Sequence, residues 1–392
     1  MENTSKKRVA VWQPYFLGGG AEAVALWILE ALHADYDVTL YTLSNVDLSW
    51  LDAMYSTQLA DKPITVKTQV PKGLNQAADF LISNNKALRM SLIYWTIRYF
   101  KSVASQYDVV FSAFNSLDMG RPGIQYLHWV HVIEDNRKKA KPWFKVLMKW
   151  VDFSYDRLRS NLSIANSQYT AQRVEETYGI KADVVFPPVI TQIEALPWAE
   201  KENAFLCSGR IVPAKQTHRV IEILKAVRDQ GFGIKLHITG GGGGSYGQEY
   251  LTQVETLAQK YSDWVHLHQN LPYEDYLKIL ARCRYGIHYK PEPFGISIAE
   301  MIKADMIPFV RSKGGQMEIV GANHSNILFD DQTDAVEKVV KVLGDEVLQA
   351  DLRRSLKQRQ ELFSTERFMS DIRTVVEKHL ATTETPASRV AS

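Results

Sequence analysis

Short apolar runs alternate with helical patterns along this chain, and the alternation occurs twice. Residues 8–12 form a first apolar run, followed by a glycine loop and a helical pattern over 21–32. Further buried-strand runs fall at 38–42, 109–113, 124–128, 162–166 and 184–186, and Ser167 is placed to cap the helix after 162–166. Pro187, Pro188 and a charged stretch without periodicity to Asn203 interrupt the pattern. It then restarts with runs at 205–208, 235–239, 264–267, 285–288, 307–310 and 327–329, with helical segments such as 217–228 and 248–260 between them. Strands that alternate with helices dictate parallel βαβ units, so the expected fold class is α/β with two doubly wound, Rossmann-like domains. Such sheets bind ligands beyond the carboxyl ends of their strands. Two of them would face one another across a cleft. The last helical pattern ends near Leu380, and residues 381–392 read as a disordered tail.

Composition removes several classes of function. The 392 residues carry 46 basic and 44 acidic side chains, a balance unlike that of a bulk nucleic-acid binder, so no nucleic-acid partner is expected. Cys207 and Cys283 are the only cysteines, too few for a disulfide framework and too isolated to ligate zinc. With no signal-like N-terminus and no apolar run long enough to cross a bilayer, the expected location is cytoplasmic. Two segments suit a membrane surface. Residues 137–150, RKKAKPWFKVLMKW, hold six basic residues and no acid, and residues 86–101, KALRMSLIYWTIRYFK, are also basic and aromatic. Lys138, Lys139, Lys141 and Lys145 would meet anionic lipid, with Trp143 at the interface. The competing reading is an amphipathic helix packed on its own domain, its lysines snorkelling.

Three motifs carry chemistry. Gly18, Gly19 and Gly20 precede Ala21 and Glu22 at the opening of the first helix, where backbone can approach an anion closely. Gly18-x-Gly20-x-x-Ala23 also fits a loose dinucleotide fingerprint, and a tight strand–helix turn explains it equally simply. Residues 209–216, GRIVPAKQ, put Arg210 and Lys215 on a loop after the first strand of the second half, where two cations suit a diphosphate. Residues 292–300, EPFGISIAE, follow an apolar strand and open a helix. Gly295 frees the backbone, the amides of Ile296 and Ser297 start the helix, and Glu292 and Glu300 are not spaced as a surface i,i+4 pair. Either carboxylate can accept hydrogen bonds from sugar hydroxyls.

Taken together and in this order, GGGAE, GRxxxxK and EPFGISIAE resemble the retaining GT-B glycosyltransferases of family 4, the glycosyl transferases group 1. VVFPPV at 184–189 is similar to that family's interdomain segment. Tyr126-Leu127-His128 and the glycine-rich run 239–244 resemble branches that extend lipid-linked glycans with mannose. The resemblance implies a hexosyltransferase that uses a nucleoside-diphosphate sugar of the GDP-mannose or UDP-glucose type. Its acceptor is a lipid-linked glycan, a polysaccharide or a small molecule. It implies an acceptor domain over 1–190, a donor domain over 191–365 and a helix over 366–380 returning to the first domain. Arg210 and Lys215 would hold the donor diphosphate, helped by the amides of Gly19 and Gly20. Glu300 would bind the ribose, and Glu292 with the backbone of Phe294, Gly295, Ile296 and Ser297 the transferred sugar. Gly240, in the run 240–244, would line the donor or acceptor mouth or belong to a mobile loop, and His128 resembles the family histidine near the reacting centre, with His131 a poorer candidate.

No cofactor and no metal are expected. Asp35-Tyr36-Asp37 has the D-x-D spacing of metal-dependent glycosyltransferases, but it falls between a helix and a strand, where a turn accounts for it. Two other readings compete. A nicotinamide-dependent oxidoreductase would explain the glycine loop and leave Glu292 and Glu300 without a role. A non-catalytic nucleotide-sugar sensor would bind donor without transfer.

Overall fold

The computed structural model describes residues 6–16, 19–43, 45–70, 86–130, 142–191, 193–241 and 247–384, with 86–90, 142–144 and 384 as backbone only. The chain divides into two compact units. One is built from the residues up to Ile190 together with those from Ser364 onward, the other from Thr191–Phe363.

The first unit holds a parallel sheet of β1 (Arg8–Trp12), β2 (Asp37–Thr42), β3 (Thr65–Thr68), β4 (Val109–Ser112), β5 (Ile124–Leu127), β6 (Leu162–Ala165) and β7 (Asp183–Val184), in the order β3-β2-β1-β4-β5-β6-β7. β1, β4 and β5 are buried along nearly their whole length, which is why they read as mainly apolar runs rather than alternating ones, with the buried Gln125 in β5 hydrogen-bonded to Ser163. β3, TVKT, is a half-exposed polar edge strand with no apolar signature, and sequence periodicity does not anticipate it. Ser167 caps the helix Gln168–Tyr178 by accepting from Thr170 N at 3.0 Å.

Helix Gly20–Leu32 is apolar almost all round, and a helix of that kind needs cover on two sides. The sheet supplies one side. Helix Thr365–Glu384 supplies the other, with Phe368, Ile372, Val375 and Val376 in the same core cluster and Arg373 Nε donating to Ala31 O at 2.9 Å. This helix runs four residues past the expected end at Leu380, so residues 381–384 are helical rather than tail. Residues 385–392 lie outside the described residues. Arg373 also approaches Asp35 at 3.7 Å, and Asp37 opens β2, so both acids of the D-x-D triplet have structural places.

A buried ionic node ties the other face together. Asp118 has no exposed surface; it accepts from Lys101 Nζ (3.0 Å), Arg157 Nε and Nη2 (3.0 Å each), Ser154 N (2.8 Å) and Gly120 N (2.9 Å). Burial alone would raise its pKa, but these donors outweigh it and hold the carboxyl below the ordinary value.

The second unit repeats the scheme with β8 (Glu202–Ser208), β9 (Lys235–Gly240), β10 (Val265–Gln269), β11 (Cys283–His288), β12 (Ile307–Arg311) and β13 (Leu328–Phe329), again parallel, in the order β10-β9-β8-β11-β12-β13. In both units the first strand lies inside the sheet, flanked by β2 and β4 or by β9 and β11. The connections leave in opposite directions there, which opens a crevice at the carboxyl ends of the strands.

Asp118→Ala would leave Lys101 and Arg157 partly buried beside an empty site. We expect a loss on the order of 3–5 kcal/mol in unfolding free energy, read by urea denaturation. A loss within about 0.5 kcal/mol, the range of a neutral surface change, would show that the node is not a structural tie.

Candidate active site

In the second unit the loops after β8 and β11 meet at the switch point. Gly209, at φ +137°, turns the chain out of β8, and a 3-10 turn over Pro213–Lys215 returns it to the helix Thr217–Asp229. That turn aims Lys215 Nζ at Glu292 Oε1, 2.7 Å away, with the two side chains 20% and 12% exposed. Lys290 Nζ stands 4.0 Å from the other Glu292 oxygen. Glu292 is held from behind, because its N–H donates to Gln316 Oε1 at 2.9 Å and Gln316 is fully buried. Its carbonyl accepts from Gly315 N at 2.8 Å. A Cβ at Gly315 would fall 2.0 Å from the Pro293 carbonyl, so this close backbone approach needs a glycine.

His288 Nε2 lies 3.5 Å from Glu292 Oε1. Burial, reinforced by the Lys215 charge, pushes its pKa down to about 4. The ring is therefore neutral near pH 7, and its contact with Glu292 is polar rather than ionic. Sequence reasoning passed over His288, since a lone histidine at the end of an apolar strand carries no motif.

Gly295, at φ +113°, caps the helix Ile296–Lys303, whose first internal bond runs from Ile298 N to Gly295 O at 2.9 Å. Ile296 and Ser297 thus stand in its first turn, as expected. Phe294 is only 3% exposed and packs edge-on against Phe363, so it anchors the loop through its ring. Glu300 does not share a partner with Glu292. Its carboxylate accepts from Thr191 Oγ1 and from the Tyr276 hydroxyl, each at 2.8 Å, and burial raises its pKa.

Glu300 forms one wall of a cavity of about 440 Å³ lined also by Gly209, Arg210, Gly240, Gly241 and Tyr273. Arg210 is exposed at its rim. Gly240 adopts φ +153°, and a Cβ there would sit 2.1 Å from the Gly209 carbonyl. The loops after β8 and β9 touch backbone to backbone at that point. Tyr276 and Asn270 complete the pocket, and Thr191 supports Glu300. No motif announces them, because they come from an interdomain segment, the loop after β10 and the amphipathic helix Tyr273–Arg282, whose pattern reads as packing. Residues 242–246 of the glycine run lie outside the described residues.

In the first unit Gly19 is the cap of helix Gly20–Leu32. Its N–H donates to the Tyr55 hydroxyl at 2.8 Å, and that oxygen is also 3.2 Å from Glu22 Oε2. The Gly19 amide expected to face an anion is engaged with a tyrosine instead. Gly18 lies outside the described residues. His128 follows β5, and its ring Nε2 is 2.9 Å from the Ala113 carbonyl after β4. A carbonyl only accepts, so the proton is assigned to Nε2 and Nδ1 is the acceptor. Burial holds the His128 pKa down to about 4. His131, Lys138, Lys139 and Lys141 lie outside the described residues, as does the Trp143 side chain. Among the described residues, no group of three or more His, Cys, Asp or Glu side chains is arranged to hold a metal ion.

Comparison with known proteins places this geometry. Residues 189–361 match the family model described as glycosyl transferases group 1, and residues 18–192 match that of glycosyltransferase family 4. No curated relative matches the sequence. Among solved structures, Anabaena Alr3699/HepE in complex with UDP and glucose superposes with a TM-score of 0.67 at 16% identity, covering 95% of this chain and all of that one. Sucrose-phosphate synthase from Thermosynechococcus elongatus gives 0.65 at 16%, covering 96% and 100%. WaaG, a glycosyltransferase involved in lipopolysaccharide biosynthesis, gives 0.59 at 16%, with the same coverage as the synthase.

His288 takes up a proton only near pH 4 in the fold and near 6.5 in the unfolded chain. Between those values the unfolded state binds more protons, so stability falls as the pH is lowered through that window, by roughly 3 kcal/mol for this group. Melting curves from pH 7 to pH 4.5 should show a smaller fall in midpoint for His288→Gln than for the wild type. Parallel falls in both would remove His288 as a carrier of the acid sensitivity.

Proposed function

This chain belongs to the glycosyl transferases group 1, family 4, with the GT-B fold, and we propose that it moves a hexose from a nucleoside-diphosphate sugar to an acceptor hydroxyl with retention and without a metal ion. The observation that carries the reading is the Lys215–Glu292 ion pair at 2.7 Å, with Glu300 and Arg210 bordering the pocket alongside. Such an arrangement supplies fixed positive charge where a diphosphate leaves and a carboxylate beside it for sugar hydroxyls. UDP and UDP-glucose occupy solved relatives of the fold, which makes uridine donors the first to try beside GDP-mannose.

In the proposed reaction the bond between the anomeric carbon and the diphosphate oxygen breaks. Lys215 and Arg210 stabilise the charge that develops on that oxygen. The acceptor hydroxyl attacks from the face the diphosphate leaves, and its proton passes to the departing diphosphate oxygen. Glu292 orients the sugar, and Glu300, already accepting two hydroxyl hydrogen bonds, accepts those of the ribose. His128, neutral and with Nδ1 as acceptor, is assigned to a hydroxyl near the reacting centre. Charge neutralisation by Lys215 and Arg210 is the ground on which a divalent cation is taken to be dispensable.

We also assign to the first unit a contact with anionic lipid. Trp95, Tyr99 and Arg98 lie on the exposed stripe of helix Lys86–Val103, and the Arg98 guanidinium lies over the Trp150 ring, 4.7 Å from its centroid. Trp150, Val146, Lys145 and Lys149 are exposed on the helix Pro142–Trp150. Aromatics at 40% exposure flanked by cations suit an interface between water and lipid. No described helix is long and apolar enough to cross a membrane.

A transfer assay over a panel of nucleotide sugars, run in excess EDTA, tests the reaction. We expect turnover with one donor and an unchanged anomeric configuration in the product by NMR. Lys215→Ala and Glu300→Ala should each lower kcat/KM by an amount equivalent to about 2–4 kcal/mol. Activity that vanishes in EDTA and returns with a divalent cation, or an inverted product, would overturn the corresponding part. For the lipid contact, a variant with Lys138, Lys139, Lys141 and Lys145 changed to glutamate should pellet less with phosphatidylserine vesicles. Equal pelleting would refute it.

A further inference from the structure

The second unit carries another cavity, of about 540 Å³, that the transfer reaction does not use. Its walls come from the segment before β8, with Leu196, Pro197 and Trp198, from Lys303 and Asp305 before β12, and from the helix Glu346–Lys357. It therefore sits at the amino ends of β8 and β12, while the donor pocket follows the carboxyl ends of β8 and β9. The two cavities lie at opposite edges of one sheet.

Its charge is lopsided. Lys303, Arg353, Arg354 and Lys357 line it against a single carboxylate, Asp305. That carboxylate is already engaged, since Arg353 Nε stands 3.2 Å from each of its oxygens. The chain as a whole is close to neutral, so composition does not account for the excess. Lysines in the last turn of a helix answer the helix dipole, which explains Lys303 and Lys357 singly. It does not explain Arg353, pressed over the Trp198 ring at 4.4 Å and held in place by Asp305. Arg354 is 73% exposed and pairs with Asp351 at 3.0 Å. Cations gathered on a concave surface focus a positive field, and exposed Leu196 and Pro197 beside the half-buried Trp198, whose ring carries Arg353 and Arg284, add an apolar rim.

We propose that this cavity is a second binding site, for a phosphate-bearing small molecule, distinct from the donor pocket and additional to the transfer reaction. Lys357 and the solvent-exposed Arg354, which also pairs with Asp351, supply the charge, and Arg353 on Trp198 forms the rigid wall. The site is coupled to the first by a short path. Lys303 and Glu300 lie one turn apart on the eight-residue helix Ile296–Lys303, and the Lys303 charge favours the ionised form of Glu300.

Titration calorimetry with inorganic pyrophosphate at about 150 mM salt, where weak surface attraction is screened, tests the assignment. The donor-site variant Arg210→Ala/Lys215→Ala should still bind pyrophosphate. Arg354→Ala/Lys357→Ala, both exposed and harmless to the core, should lose that binding event by about tenfold or more. Added to the donor-site variant, the same pair should abolish the heat. The proposal is overturned if the donor-site variant shows no heat, or if Arg354→Ala/Lys357→Ala leaves the retained event unchanged. Donor turnover is unaffected by either of those results, so failure here is separable from failure of the glycosyltransfer reading.

Discussion

The Lys215–Glu292 pair is the contact on which the proposed transfer rests, and it exists because of strand order. β8 lies between β9 and β11, so the loops leaving β8 and β11 diverge and their side chains meet over the gap. Parallel pairing of β8 with β11 fixes the spacing of the two loop origins. A partly buried ion pair gains little net stability once desolvation is counted. In the proposed reaction this cation and carboxylate, 2.7 Å apart, serve a ligand that carries both phosphate and hydroxyl groups.

Rigidity around that pair comes from groups with no charge. Gln316 holds the backbone of Glu292, Gly315 lets the next loop close on it, and Phe294 locks the turn against Phe363. Neutral His288 fills the space behind the carboxylate without competing for its charge. Glu300 belongs to a separate set with Thr191 and Tyr276, so the two glutamates of one motif serve two different partners. Preorganisation of this kind lets charge develop in a reaction without reorganising the surroundings.

The first unit reaches stability by a different route. Its opening helix is too apolar to face water on any side, and the chain's last helix returns to cover it. Asp118, buried and surrounded by donors, joins the helix Lys86–Val103 to the segment around Ser154 and Arg157. His128 is fixed in one tautomer by the carbonyl that ends β4. Each of these contacts joins residues from 15 to more than 340 positions apart in the chain.

Local pattern determined the sheets. Buried parallel strands are mainly apolar, so the central residues of β1, β4, β5, β8 and β11 are legible as runs, and the glycines at 209, 240 and 295 are legible because a reversed backbone leaves few other choices. Arg210, Lys215 and Glu292 stand out as charges in loops that follow apolar strands, and Glu300 as the second glutamate of the segment 292–300. The polar edge strand β3 and the last turn of the final helix were not legible, since neither buries enough apolar surface to mark the sequence. Tertiary structure alone decided that Glu300 answers to Thr191 and Tyr276, that Tyr55 engages the Gly19 amide, and that His288 stands neutral behind Glu292. Those contacts depend on which strand ends the sheet order brings together, and no local periodicity encodes that order.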